Sequence, residues 1–305
     1  LGMVERIEII KGAKSAAYGQ SEGGVINIIT KKSADAGELQ LTAGNNDRRQ
    51  YIFNYGVQTD KLGFRVYANK SKQDAYLRNS DYDNEQAGIN LNYKLSQTDS
   101  LRFNYDHQQL KRGLVIANNT SNFDSRYPIS SGDTFANSNA APEDGSYTKI
   151  YRNNFNVTWN SDRDSGGDSL TYWKNYEKQR EHNVNAGKVM FDRYNVTDKS
   201  SGVMYKGNAK VNAKHHLGYG VDYKRLRYGY GWYNSNATVT SNGETKPAGG
   251  ALYPSQKLDV WGAYIEDNWQ INDRWLTNIG LRYDKMKGDR DAAQATNIVS
   301  MNESA

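Results

Sequence analysis

Val4-Glu-Arg-Ile-Glu-Ile-Ile-Lys-Gly-Ala-Lys-Ser-Ala-Ala-Tyr-Gly-Gln-Ser-Glu-Gly-Gly-Val-Ile-Asn-Ile-Ile-Thr-Lys31 reads as a short strand, a glycine-punctuated turn and a second strand of β-branched residues. Strand-like segments then follow one another almost to the end of the chain. Gly12, Gly19, Gly23 and Gly24 permit positive φ or close backbone approach. A phosphate-cradling loop is a poor reading, because no G-x-x-x-x-G-K-[ST] pattern is present and Gly23-Gly24 leads into a strand, not a helix.

Downstream, apolar and polar residues alternate with period 2. Leu62, Phe64, Val66 and Ala68 alternate with Gly63, Arg65, Tyr67 and Asn69. Ala87, Ile89, Leu91 and Tyr93 alternate with Gly88, Asn90, Asn92 and Lys94. The same holds for Leu101, Phe103 and Tyr105, for Phe155, Val157 and Trp159, and for Trp275, Thr277, Ile279, Leu281 and Tyr283. The polar faces are rich in Asn, Arg, Lys and Gly, which suits a hydrated lumen. No sustained i, i+3, i+4 apolar stripe argues for helices.

Spacing separates a soluble sandwich from a membrane barrel. Compact turns are expected at Gln58–Lys61, Ser96–Asp99, Asn212–His215 and Ile271–Arg274, with a slightly longer one from Asn160 to Asp168. The intervening connections are long, near 72–84, 111–147, 178–199 and 229–256; only 44–47 is short on that side. Short turns on one rim and long loops on the other belong to an outer-membrane barrel. About eleven strands fit between residues 38 and 288, half of the 22 of a plugged transporter.

Composition agrees. The mean hydropathy is −0.88, and no apolar run approaches the roughly 20 residues of a membrane helix, but an alternating barrel shows neither signal. The 23 Tyr and 6 Trp suit a bilayer interface, and the 4 Pro leave backbone N–H groups free for ladders. With 0 Cys there is no disulfide or thiolate metal site. The net charge of +5 is scattered among nearly as many acids, so nucleic-acid binding is not indicated. No nucleophile–base constellation suggests an enzyme.

The opening segment resembles the end of the plug domain of TonB-dependent outer-membrane receptors. Matching residues are Val4-Glu-Arg-Ile-Glu8, Lys11-Gly12, Ser15, Tyr18-Gly19, Gly23-Gly24 and Val25-Ile-Asn-Ile-Ile-Thr30. Lys11 stands for the usual Arg, Ala13 for the usual Pro, and some versions carry one residue more before the double glycine. Ala263–Asp284 resembles a barrel hairpin of the same family. The resemblance implies an all-β fold, an antiparallel transmembrane barrel (about 11 of an expected 22 strands) after the C-terminal part of a plug. Residues 1–34 would be plug and 35–305 the N-terminal half of the barrel. Arg6, Glu8, Gly12, Tyr18, Gly19, Gly23, Gly24 and Asn27 would carry the plug motif.

By the same resemblance, the function is TonB-dependent import of a ferric siderophore in the bacterial outer membrane. Cobalamin or haem receptors, and a passive porin or adhesin barrel, are the alternatives. Expected partners are TonB, the ferric ligand and outer-membrane lipid; no cofactor or nucleic acid is expected. The chain reads as a piece of a longer precursor: no signal peptide is visible, and Met301–Ala305 reads as polar loop without a closing strand.

Loop 229–256 is the richest candidate for ligand contact. Arg225, Arg227, Trp232 and Tyr233 offer cations and aromatic faces for an anionic chelate. Tyr228 and Tyr230 fit an interfacial girdle better, and Trp232 and Tyr233 fit either role. Arg112, Arg126 and Tyr127 are further candidates in loop 111–147. Glu5, Arg6, Glu8 and Lys11 read either as plug charges that pair with the lumen wall or as exposed strand charges. His215 and His216 point to opposite faces and do not chelate one ion; His182, read in an outer loop, is a weak candidate for haem ligation.

Overall fold

The computed structural model describes residues 4–10, 16–19, 24–31, 36–121, 123–132, 143–185, 188–235, 239–241, 244–246, 249–253, 255–291 and 299–304. Strands β1 (Val4–Ile10) and β2 (Val25–Thr30) form an antiparallel hairpin that is a sheet of its own. A 3-10 turn, Ala16–Tyr18, lies between them. Ile7 pairs with Ile28 and Ile9 with Ile26, and all four side chains are exposed.

The second sheet is an antiparallel meander. In chain order it runs β3 (Ala36–Gly44), β4 (Arg48–Gln58), β5 (Leu62–Gln73), β6 (Tyr82–Lys94), β7 (Asp99–Gly113), β8 (Tyr147–Arg163), β9 (Gly166–Asn185), β11 (Ser201–Lys210), β12 (His215–Tyr228), β17 (Ser255–Asn272), β18 (Trp275–Asp291) and β19 (Val299–Ser304). Short turns at 59–61, 95–98, 164–165, 211–214 and 273–274 share one rim. The long connections share the other, so the expected alternation is present.

Four sequence expectations need correction. Residues 178–199 are not an open loop: β9 continues and folds back onto β10 (Lys188–Asp198). Within 229–256, β13 (Tyr230–Ser235) pairs with β10 and with β16 (Gly249–Tyr253), while β14 (Val239–Ser241) and β15 (Glu244–Lys246) form a small hairpin. Beyond the bilayer both sheet faces are wet, so backbone pairing continues without apolar alternation to announce it. For the same reason β8 and β9 pair down to a two-residue turn at 164–165, tighter than the 160–168 connection expected. Finally, Val299–Ser304 is a strand paired to Lys285–Arg290, not loop.

Register makes the two faces continuous across strands. Directly opposed pairs link Leu62, Tyr93, Leu101, Trp159, Leu170, Tyr205, Val221, Ala263 and Tyr283 in one row. The alternate positions link Arg65, Asn90, Asn104 and Asn156. Burial is inverted relative to a water-soluble core. Asn54, Arg65, Asn90, Thr148, Asp222 and Asp284 are buried, whereas Leu170, Ile265 and Leu281 are exposed, Leu281 by 75%. An apolar face left outward and a polar face packed inward is the arrangement lipid requires.

Candidate functional site

The turn between β1 and β2 rests on the polar face of the large sheet, against β12, β17 and β18. Its anchor is Arg282. The guanidinium Nη1 donates to the carbonyl oxygen of Ala16 at 3.3 Å. Nη2 donates to Asp222 and Asp284, both at 2.7 Å, and Nε donates to Asp284 at 2.9 Å. Lys224 adds a second cation 3.3 Å from Asp222. Side-chain exposure is only 10%, 6% and 10% for Arg282, Asp222 and Asp284, so each charge needs the others.

Two glycines make room for this cluster. Gly19 has φ of 71°, and a Cβ there would meet Arg282 Nε at 3.2 Å. Gly262 faces Asp284 across the β17–β18 pair, and a Cβ at Gly262 would overlap Arg282 Nη2. The guanidinium therefore lies flat in a slot that only glycine leaves open.

The plug-motif charges are satisfied within the hairpin. Arg6 pairs with Glu8 at 2.9 Å and Glu5 at 3.0 Å, and Asn27 Nδ2 donates to Glu8 at 3.0 Å. These bonds hold the Glu8 carboxyl below its ordinary range, Arg6 being the larger cause. The hairpin meets the wall at Ala16 and Gly19, while Arg6 and Glu8 bond within the hairpin. Tyr18 closes the 3-10 turn and Gly24 takes φ of 109°. Gly12, Gly23 and Lys11 lie outside the described residues.

On the opposite rim, loop 74–81 locks onto residues 114–118 and 143–146. Asn79 donates to the carbonyls of Leu114 and Ser146 at 2.8 and 2.7 Å, and Arg78 pairs with Asp144 at 2.8 Å. Asn118, 0% exposed, organises the longer loop. Its Nδ2 donates to the carbonyls of Asp124, Tyr127 and Pro128, and its Oδ1 accepts from the Asp124 amide at 2.7 Å.

The expected ligand residues scatter. Arg126 clamps Asp124 (Nη2–Oδ2 2.7 Å) and lies 5.5 Å from the Tyr127 ring centroid. That pairing lowers the Asp124 carboxyl to about 2. Arg112 lies one residue before the end of β7 on the polar face, in line with Asn104, Asp106 and Gln108, and is exposed. Arg225 and Arg227 stand on the outward face with Tyr223 and Trp261. Both approach Asp259, at 3.6 and 3.0 Å. That placement suits a membrane girdle more than a pocket in the lumen. Trp232 and Tyr233 lie on β13, opposite Tyr194 and Arg193; their side chains are outside the described residues. His182 is in strand β9, not a loop, and stacks on Tyr147 with ring centroids 5.0 Å apart.

A family model described as TonB dependent receptor-like, beta-barrel, matches residues 33–304. The chain belongs to the TonB-dependent receptor β-barrel family. Such receptors are outer-membrane proteins and not enzymes. Similar proteins include the ferric enterobactin receptor of Pseudomonas aeruginosa, 29% identical over 92% of this chain and 42% of that protein. The iron-regulated outer membrane virulence protein of Vibrio cholerae is also 29% identical, over 94% and 40%. The chain thus spans about two-fifths of the length of these relatives. Among solved structures, the unliganded ferric citrate transporter FecA superposes with a TM-score of 0.75 at 12% identity, over 100% of this chain and 46% of that one. The ferric-catecholate import receptor Fiu from E. coli gives 0.68 at 16% identity, over 99% and 55%.

In this receptor barrel, the residues that sequence reading missed are Arg282, Asp222, Asp284 and Asn118. A weak signal existed for the first three. Each sits on a polar strand face, and Gly262 and Gly280 mark a place where something approaches the wall closely. Asn118 offered none, being one of several Asn in a long loop.

Proposed function

We propose that this receptor imports a ferric siderophore across the outer membrane, with energy delivered through TonB. Residues 1–34 act as the end of its plug and 35–305 as the first half of its barrel. The observation that carries the reading is how the hairpin turn is held. Arg282 is neutralised by the wall's own Asp222 and Asp284, and among the described residues its bond to the hairpin is to an uncharged group, the Ala16 carbonyl. When the turn withdraws, no charge is stranded; one N–H of Arg282 passes to lumen water, a cost of about 1 kcal/mol. A plug so attached closes the barrel at rest yet yields to a modest pull.

The exposed isoleucines of the hairpin support a larger globular plug, since Ile7, Ile9, Ile26 and Ile28 form one apolar face for further plug residues to cover. At the outer mouth Arg112, Arg126, Tyr127, Trp232 and Tyr233 are the proposed contacts for an anionic iron chelate. The relatives named for ferric enterobactin favour a catecholate cargo.

The test is radio-iron uptake from a ferric catecholate by cells carrying the receptor. Uptake is expected to vanish when either the receptor gene or TonB is removed. Undiminished uptake without TonB would overturn the proposal.

A further inference from the structure

The outward face of β8 and β9 carries a feature that cargo import does not use. A cavity of about 380 Å³ opens there, lined by Lys149, Tyr151, Asn153, Tyr176, Lys178 and Arg180. Register sets cations side by side across three strands: Lys111 opposes Lys149, and Lys149 opposes Arg180. Each lies near a tyrosine ring. Lys111 and Arg180 are 4.7 and 5.5 Å from the Tyr147 centroid, and Lys149 is 5.1 Å from that of Tyr151.

Strand alternation puts these side chains on the lipid side. Lys149, Tyr151 and Asn153 share a face with Phe155, Val157 and Trp159, while Arg152, Asn154 and Asn156 bond to polar partners on the lumen face. The carboxylates of β9 in this region, Glu177 and Glu181, alternate to the lumen side; Glu177 pairs there with Arg152. On the outward faces of β8 and β9 no acid stands between the Tyr147–His182 row and the Trp159–Leu170 row. On β6, the far side of β7, Asp83 stands opposite Lys111, and Asp83 and Glu85 both pair with Lys70. The next acidic register position outward is Asp192, opposite His182.

Height identifies the occupant. Ten residues separate Trp159 from Lys149, about 33 Å along the strand, or roughly 25 Å along the membrane normal at a tilt near 40°. That is the height of the apolar band. If Trp159 marks the inner interface, the cations stand at the level of the outer headgroups. Below them Phe155 packs edge-on against Phe103 (5.4 Å) and Tyr172 (6.1 Å), a surface for an acyl chain.

We propose that Lys149, Lys178 and Arg180, flanked by Lys111, bind the phosphorylated headgroup of an outer-leaflet lipid. Paired cations on aromatic rings match a phosphate, and the apolar wall beneath matches its tail. The inference rests on the barrel's place in the outer membrane and not on its cargo.

The experiment is native mass spectrometry of the full-length receptor in neutral detergent, titrated with diphosphoryl lipid A, its dephosphorylated form, or inorganic pyrophosphate. Diphosphoryl lipid A should bind the wild type. Binding should fall by roughly tenfold or more in K149Q/K178Q/R180Q, since each cation near a membrane surface contributes measurably to anionic lipid binding. Removing the same charge at the opposite rim, in K61Q/K214Q/R274Q, should change binding less than about twofold. K149R/K178R should bind like wild type, and heat-modifiable gel migration confirms that each variant is folded. Equal binding by K149Q/K178Q/R180Q, equal binding of the dephosphorylated lipid, or pyrophosphate binding as tight as the lipid's would each overturn the proposal.

Discussion

Arg282 is the residue on which the wall and the hairpin converge. Replacing it by Gln leaves Asp284 buried without the cation it shares with Asp222, and Asp222 with Lys224 in its place. The expected loss is about 3 kcal/mol or more, read as a lower urea midpoint for the receptor folded into lipid vesicles. A variant as stable as wild type would mean that the cluster is hydrated and contributes little. Gly262→Ala acts on the same slot from the opposite strand. The added methyl displaces the guanidinium, and a cost of about 1–3 kcal/mol is expected in the same assay. Combined with Arg282→Gln, it should cost less than the two changes made separately, because the guanidinium it overlaps most is gone while Asp284 Oδ1, 2.7 Å from the same position, remains.

The outer loop 114–132 behaves as an element with its own stability. Asn118→Leu removes the side chain's contacts to four backbone groups, three of them sharing the two Nδ2 protons, at about 1 kcal/mol per bond. Protease cleavage between Asn118 and Ser130 on intact cells should accelerate, while the barrel's thermal midpoint stays unchanged. Asp124 gives this loop a pH window. Its carboxyl falls from an ordinary 3.8 to about 2 through Arg126, so the charged form is favoured in the folded loop. A lowered carboxylate stabilises above its ordinary value and loses that contribution as pH falls through the folded one. Amide protection at Arg126, whose N–H donates to Asp124 Oδ1 at 3.0 Å, should hold steady down to pH near 4 and collapse towards about 2.

These elements also show where sequence reading stops. Inside the bilayer one face of each strand is apolar, so the alternation of Phe155, Val157 and Trp159 with Asn154, Asn156 and Thr158 is visible in the bare sequence. Above the bilayer that contrast disappears, and β10, β13 and β16 looked like loop. The candidate site was less legible still. Arg225 and Arg227 looked like ligand cations, but strand parity sends them outward to Asp259. Arg282 looked like one more lumen polar residue, and only the register that sets Asp222, Gly262 and Asp284 around it makes it an anchor.

At the scale of the whole molecule, the large sheet ends on β3 and β19, and lipid does not tolerate open strand edges. A plugged transporter barrel has about 22 strands, and the chain spans about two-fifths of the length of its relatives. Such a barrel is wide enough to leak if its plug is absent. Liposomes carrying the full-length receptor should therefore not swell in small sugars, whereas a plugless version should admit them; rapid swelling with the plug in place would point to a passive pore.

The docking of the hairpin turn on the wall can be measured directly, because the chain has 0 Cys and a Cβ built on Gly280 lies 3.1 Å from that of Ala16. With A16C and G280C introduced together, mild oxidation of intact outer membranes should join the two residues in one disulfide-linked peptide, detected by mass spectrometry. Single variants should give no such product. Two cysteines that remain free thiols in the folded receptor would contradict the placement of the hairpin turn against β18, and with it the proposal that this hairpin belongs to a plug.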